Sequence, residues 1–202
     1  MDLVVTKNFG SPKSWTLQSY RESGGYQALE SVLRDLSPED VSDLIKESNL
    51  TGRGGAFFPT GLKWEFVRKD PKTPRYVVVN ADESEPGTYV NRLSLELDPH
   101  MTLEGMIIAA YAAQAEHGYF YIRGEYGLSH ERVKAAIKEA YDAGYLGEHI
   151  LGKDHFSFDV EFRRGAGAYI VGEETALFNS LEGKRGNPRF KPPFPTNVGV
   201  WG

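Results

Sequence analysis

The chain contains no cysteine among its 202 residues. That absence excludes disulfides, cysteine-ligated zinc, iron–sulfur ligation, a thiol nucleophile and CxxC redox pairs within it. Any redox chemistry therefore needs a borrowed cofactor. Charge of one sign is missing as well: 23 Lys and Arg are interspersed with 28 Asp and Glu, for a net charge of −5. Without basic blocks there is no footprint for a polyanion, and nucleic acid is not expected as a partner. The longest apolar run, Met106 to Ala113, is far short of the roughly 20 residues a bilayer-spanning helix needs, so direct membrane insertion is not expected. The N-terminus, Met1-Asp2-Leu3-Val4-Val5-Thr6-Lys7, has no basic region ahead of a long apolar stretch; it does not read as a secretory signal, and the expectation is a cytoplasmic protein. The five histidines, at 100, 117, 130, 149 and 155, have no ligand spacing, and no metal site is expected. Ser129 and Ser180 lack a nucleophile-elbow context, so hydrolase chemistry has no visible apparatus.

What is present is a core-forming sequence, long enough to bury roughly 70% of its unfolded surface without a disulfide or metal. Residues 1–24 read as an extended lead-in anchored by Trp15, Leu17 and Tyr20. Two short helices follow, one over about Tyr26 to Leu36. The other opens with Ser37 as N-cap, Pro38 at the first helical position and Glu39 and Asp40 in the first turn. From there the pattern alternates. Tyr76 to Val79 reads as a buried strand, and Leu103, Met106, Ile107, Ala110 and Tyr111 as a helix. Gly118 to Arg123 reads as a strand, Val133, Ala136, Ile137, Ala140 and Tyr141 as a helix, Phe156 to Phe162 as a strand, and a last helix begins near Glu173. This order predicts an α/β fold, a Rossmann-like, mainly parallel sheet flanked by helices, with a small helical preface. The preface is placed at 1–50 and the α/β domain at 51–202. Gly186 to Gly202 reads as irregular coil.

Three segments carry candidate chemistry. In Gly52-Arg53-Gly54-Gly55-Ala56-Phe57-Phe58-Pro59-Thr60-Gly61-Leu62-Lys63, the glycines let backbone N–H groups turn towards an anion, and Lys63 adds a positive charge. The segment matches neither GxxxxGK[ST] nor a full GxGxxG, so taken alone a plain glycine-rich surface loop is the simpler account. In Asn80-Ala81-Asp82-Glu83-Ser84-Glu85-Pro86-Gly87, three carboxylates stand just past a strand, where α/β sheets collect ligands. They suit ribose hydroxyls or ring N–H groups; a solvated acidic turn is the simpler account. In Arg164-Gly165-Ala166-Gly167-Ala168-Tyr169-Ile170-Val171-Gly172-Glu173-Glu174-Thr175, small residues admit a planar ligand beside Tyr169. Glycines clearing space for packing, with acids at a helix start, explain the same pattern.

Taken in order, GRGGAxFPTGLKW, NADExEPGT and GAGAYIxGEETAL followed by SLEGxRxNPRxKPPFP closely resemble the NADH-binding flavoprotein subunit of respiratory complex I, the F-subunit family of NADH-quinone oxidoreductases. They equally resemble the diaphorase subunits of NAD-linked hydrogenases and formate dehydrogenases. The resemblance runs from about Trp15 to Gly202. It implies FMN as cofactor, with Gly52, Arg53, Gly54 and Lys63 as a phosphate and ribityl cradle and Asn80, Asp82 and Glu83 facing the flavin. It implies Phe58, Phe66, Glu85, Tyr169, Glu174 and Lys191 as NADH contacts. Tyr169, Ile170, Gly172 and Glu173 would line the hydride-transfer site, with Glu174 also on the cofactor and Glu83 and Glu173 as the catalytic carboxylates. The implied activity is NADH dehydrogenase or diaphorase chemistry, hydride passing from NADH to FMN. Partner subunits with iron–sulfur clusters would hold the protein at the inner face of a membrane.

The sequence departs from the family at Phe57, where the motif reads glycine, and at Val79 and Val171, where it reads cysteine. The family's further flavin contacts, ubiquitin-like domain and 4Fe–4S domain belong to sequence following the position of Gly202, so cluster ligands are expected outside this chain. Phe57 supports a rival expectation, a non-catalytic structural or assembly protein of the same fold without FMN. A third is a module binding another nucleotide.

Overall fold

The computed structural model describes residues 3–202; Met1 and Asp2, the start of the segment read for a signal, lie outside the described residues. The lead-in is turned and partly helical, where the sequence suggests an extended segment. Thr16 accepts a hydrogen bond from Ser19 N and starts helix α1, Leu17–Glu22. Helix α2 covers Gln27–Asp35. Helix α3, Pro38–Glu47, opens as the sequence predicts, with Ser37 and Asp40 forming a reciprocal capping box. Helix α4, Thr60–Lys69, follows the glycine loop. Strand β1 is Tyr76–Ala81.

Helix α5, Val90–Leu97, has no counterpart among the expectations. Its short apolar pattern abuts that of helix α6, Pro99–Ala113, which is buried along most of its length. Strand β2 is His117–Ile122, helix α7 Gly127–Asp142, strand β3 Asp159–Arg164 and helix α8 Glu174–Leu181, preceded by a 3-10 turn at Tyr169–Gly172. The third strand thus begins later than Phe156. Phe158 instead exchanges two 3.0 Å backbone hydrogen bonds with Gly147, an antiparallel bridge outside the sheet. The alternation is nonetheless real: Phe156, Phe158 and Val160 are all buried.

The sheet is parallel, in the order β1-β2-β3, with Val77 opposite Gly118 and Phe120 opposite Phe162. Side chains alternate between its faces. Val77, Val79, Phe120, Ile122 and Val160 join the main core with α6 and α7, while Val78 and Tyr121 pack with Val171 and Leu177 in a smaller cluster that includes α8. Helices therefore cover both faces. Gly118 is required by packing, since a Cβ there would lie 2.3 Å from Met106 Cε and 2.5 Å from Phe158 Cζ.

Buried polar groups fasten the helical preface to this layer. Glu104 on α6 accepts from Tyr26 N and Leu29 N, both at 3.0 Å, and from Tyr20 Oη at 2.5 Å. Its carboxylate thus serves as the N-terminal cap of α2 from another helix. Glu139 on α7 similarly accepts from Leu17 N at 2.7 Å, at the start of α1. His100 bridges the two sides, with Nε2 3.0 Å from Glu139 Oε2 and Nδ1 2.9 Å from Tyr26 Oη. Because the carboxylate can only accept, the neutral ring donates from Nε2 and accepts the tyrosine proton at Nδ1.

Candidate functional site

The parallel strands end at Ala81, Ile122 and Arg164, and the second and third candidate segments meet beyond them. Asn80 Nδ2 donates to the Gly172 carbonyl at 2.9 Å. A Cβ on Gly172 would stand 3.0 Å from the Asp82 carbonyl oxygen. A glycine here permits the 3-10 turn to lie directly on the end of β1. Tyr169 Oη donates to Glu85 Oε2 at 2.5 Å, which ties the same two segments a second time and raises the tyrosine pKa. The neighbouring Ile170 side chain is exposed.

The two carboxylates expected to be catalytic are both committed to helix ends. Glu83 is buried; its Oε1 accepts from Asn91 N at 2.9 Å and its Oε2 from Arg92 N at 3.1 Å, in the first turn of α5. Glu173 caps α8, with Oε2 2.9 Å from Thr175 N, 2.9 Å from Ala176 N and 2.5 Å from Thr175 Oγ1. Burial pushes the Glu173 carboxyl up, but hydrogen bonds from Thr175, Ala176 and Lys191 together outweigh it and leave the pKa lowered. Asp82 is shifted the other way: burial raises its pKa, opposed only in part by the Ser84 hydroxyl and the Arg123 charge. Lys191 Nζ sits 2.5 Å from Glu174 Oε1 and 3.0 Å from Glu173 Oε1. Three of the candidate residues thus form one ion cluster.

The glycine loop runs directly into α4. Gly52 N donates to Phe58 O and Thr60 N to Leu50 O, both at 2.9 Å, closing a narrow base. Residues 52–59 are all exposed. Among the described residues, the N–H groups of Arg53, Gly54, Gly55, Ala56 and Phe57 donate to no protein acceptor. Arg53 folds back, its Nη1 2.5 Å from Thr51 O and 2.7 Å from Thr51 Oγ1. Lys63 is exposed near the start of α4. Phe58 and Phe66 have ring centroids 6.2 Å apart and are both partly open to solvent. Phe57 takes a φ of +50°, in the left-handed region that favours glycine, and the residue is 63% exposed. The ring therefore points into solvent and fills no interior space. Among the described residues, no hydrogen bond or ion pair joins this loop to the strand-end cluster.

This donor set fits FMN. Unspent backbone N–H groups in the same segment as an exposed ammonium suit a phosphate, and the Asp82 carboxylate at the strand end can accept from a flavin ring or ribityl hydroxyls. Arg123 and Tyr126 are not singled out by the sequence, yet both bond to Glu83: Arg123 Nη1 to its carbonyl at 2.8 Å, and Tyr126 Oη at 3.2 Å. The strand-end rule that points to Asn80 applies equally to Arg123, which directly follows β2. An open cleft of 440 Å³ lies beside them, lined by Gly124, Glu125, Arg164, Gly165, Ala166 and Gly167. No helix among the described residues is long and apolar enough to cross a membrane.

Residues 45–201 match the family model described as the Nuo51 FMN-binding domain. The chain is 52% identical over 198 residues to an F subunit of NADH-quinone oxidoreductase from Rhizobium meliloti (strain 1021), covering 98% of this chain and 47% of that protein. It is 51% identical over 199 residues to the NADH-quinone oxidoreductase F subunit of Aquifex aeolicus (strain VF5), covering 98% of this chain and 46% of that one. It therefore spans just under half the length of these relatives. Among solved structures it is similar to NAD+-reducing [NiFe]-hydrogenase in the H2-reduced state. The TM-score is 0.77 at 35% identity, over 92% of this chain and 31% of that one.

Proposed function

The chain belongs to the Nuo51 FMN-binding domain family, and from that premise we propose that it binds FMN and NADH and serves as the electron-input module of an NADH-oxidising complex. The observation that carries this reading is the double tie of Asn80 to Gly172 and Tyr169 to Glu85, which gathers two of the three candidate segments at the strand ends. In this reading residues 51–202 form the binding unit and residues 1–50 its preface.

Gly52, Arg53, Gly54 and Lys63 would hold the FMN phosphate and ribityl chain, with the backbone supplying donors and Lys63 a cation. Asn80, Asp82 and Gly172 would border the flavin, and Ile170 would shield it. Bound FMN supplies the acceptor for a hydride and can release electrons singly, chemistry that belongs to the cofactor. Phe58 and Phe66 would flank the nucleotide's aromatic base, while Glu85, Tyr169, Glu174 and Lys191 would contact the rest of NADH. Hydride delivery from a nicotinamide needs no protein base. Glu83, with both oxygens on the first turn of α5, and Glu173, with one oxygen capping α8 and the other paired with Lys191, therefore act as positioning residues and not as proton carriers. Electrons would leave to iron–sulfur clusters on other subunits, through which the protein would sit peripherally at a membrane on its cytoplasmic side.

The test is the visible absorption spectrum of the purified chain after incubation with FMN and gel filtration, followed by anaerobic addition of NADH. Flavin that co-elutes and bleaches is the expected result. Protein that elutes without flavin would overturn the reading and favour a structural protein of the same fold.

A further inference from the structure

The β2–α7 turn holds Arg123 and Tyr126, which the function proposed above does not employ. Arg123 Nη1 donates to the Glu83 carbonyl at 2.8 Å, and its Nε donates to Glu125 Oε2 at 3.1 Å. Tyr126 Oη lies 3.2 Å from that carbonyl and 3.2 Å from Glu83 Oε2, sharing its one proton between them. The guanidinium carbon stands 5.5 Å from the centroid of the Tyr126 ring, so the two side chains also brace each other. Glu83 is the last buried residue before a run of six exposed ones, 85–90, with only Ser84 half-buried between. It is thus the point at which the acidic loop leaves the body of the protein. Its carboxylate reaches forward to α5 through Asn91 and Arg92, and its carbonyl is held from behind by the turn.

We infer that Arg123 and Tyr126 form a positioning clamp that fixes Glu83, and through it Asp82, Ser84 and Glu85, in the arrangement that receives the flavin and nicotinamide. The inference rests on the function proposed above. The clamp acts by preorganisation: a loop already held in its binding shape loses less entropy when the ligand arrives. Tyr126→Phe removes the hydroxyl and keeps the ring beneath Arg123, so folding is retained. Arg123→Lys keeps the charge but loses the fork that spans Glu83 and Glu125.

Both variants would be compared with Tyr111→Phe, which removes a buried-side hydroxyl bonded to Leu36 O at 2.8 Å, away from the strand ends. Hydrogen–deuterium exchange over residues 83–92 should quicken in Tyr126→Phe and Arg123→Lys and stay at the native rate in Tyr111→Phe. The FMN dissociation constant, read by flavin fluorescence, should rise about fivefold in the first two, the equivalent of about 1 kcal/mol, and not in the third. Native-like exchange in the loop of Tyr126→Phe would overturn the clamp. Faster exchange with an unchanged FMN constant would overturn its role in receiving the ligand. If the native chain takes up no FMN, the proposed function falls and the ligand role with it, while the exchange result alone still decides whether the clamp holds the loop.

Discussion

Asn80 donates its side-chain amide to the carbonyl of Gly172, 2.9 Å away, across 92 residues of sequence. This bond sets the 3-10 turn against the end of β1, and the missing Cβ of Gly172 makes the approach possible. A methyl group there would stand 3.0 Å from the Asp82 carbonyl, so the turn or the loop must yield. Gly172→Ala is expected to lower stability by about 1 kcal/mol and weaken FMN retention. Asn80→Ala should cost less, about 0.5 kcal/mol, because its amide is exposed and water replaces the lost bond. Thermal unfolding of the two variants checks the ranking; a Gly172→Ala protein as stable as the native would remove the close-approach argument.

Phe57 occupies a left-handed conformation at φ +50° with its ring mostly in solvent. A side chain there costs about 1–2 kcal/mol against the same residue in an ordinary conformation, partly offset by the extra freedom glycine has when unfolded. Phe57→Gly should therefore raise the free energy of unfolding modestly, by up to about 1 kcal/mol. FMN affinity should stay level or improve, because the ring fills no interior space. A fall in stability would mean that Phe57 packs in solution.

Lys63 tests the phosphate cradle without disturbing the fold. It is exposed, with no ion pair among the described residues, so Lys63→Ala should change stability by less than about 0.5 kcal/mol. Loss of a charged hydrogen bond to phosphate is worth about 1.5–3 kcal/mol, so the FMN dissociation constant should rise at least tenfold. An unchanged constant would remove Lys63 from the cradle.

His100 makes the fold sensitive to acid. Burial lowers its pKa from the ordinary 6.5, and the bond to Glu139 opposes this only in part. The folded protein thus holds a neutral ring where the unfolded chain takes up a proton. The contribution to stability is complete above about pH 6.5 and declines as pH falls towards the lowered folded value. His100→Gln keeps polar contact with Tyr26 and Glu139 but cannot titrate. Melting temperatures between pH 7.5 and 5.5 should fall more steeply for the native chain than for this variant; parallel slopes would assign the acid sensitivity elsewhere.

The order of strands and helices was legible because each long element carries its own period, and Ser37-Pro38 marked a helix start outright. Helix α5 was not, since its N-terminal cap is Glu83, a residue read as part of an acidic loop. The start of α1 carries a local cap, Thr16, but its first N–H is satisfied by Glu139, more than a hundred residues away. Long-range caps leave no local pattern. At the site, residue types pointed to groups at the strand ends, but not to Glu83 spending both its oxygens, and Glu173 one of its two, on backbone amides. Only the placement of α5 and α8 decides that.

The cluster of Lys191, Glu173 and Glu174 supplies a last expectation, about which nucleotide is accepted. Two carboxylates share one ammonium, so the group carries a single net negative charge at neutral pH. NADPH bears an extra phosphate, which a net negative site repels. The cluster is partly exposed, and water and salt reduce the effect to about 1 kcal/mol. Glu174→Gln leaves Lys191 paired with Glu173 and the cluster neutral, so the preference for NADH over NADPH should relax by about fivefold. Lys191→Met should act oppositely, leaving two uncompensated charges and sharpening the preference. The ratio of kcat/KM for the two nucleotides, measured for both variants at low and high salt, separates this from a steric effect. Electrostatic discrimination must move in opposite directions in the two proteins and shrink as salt rises. Shifts of the same sign, or ones indifferent to salt, would show that these three side chains shape the pocket without setting its charge.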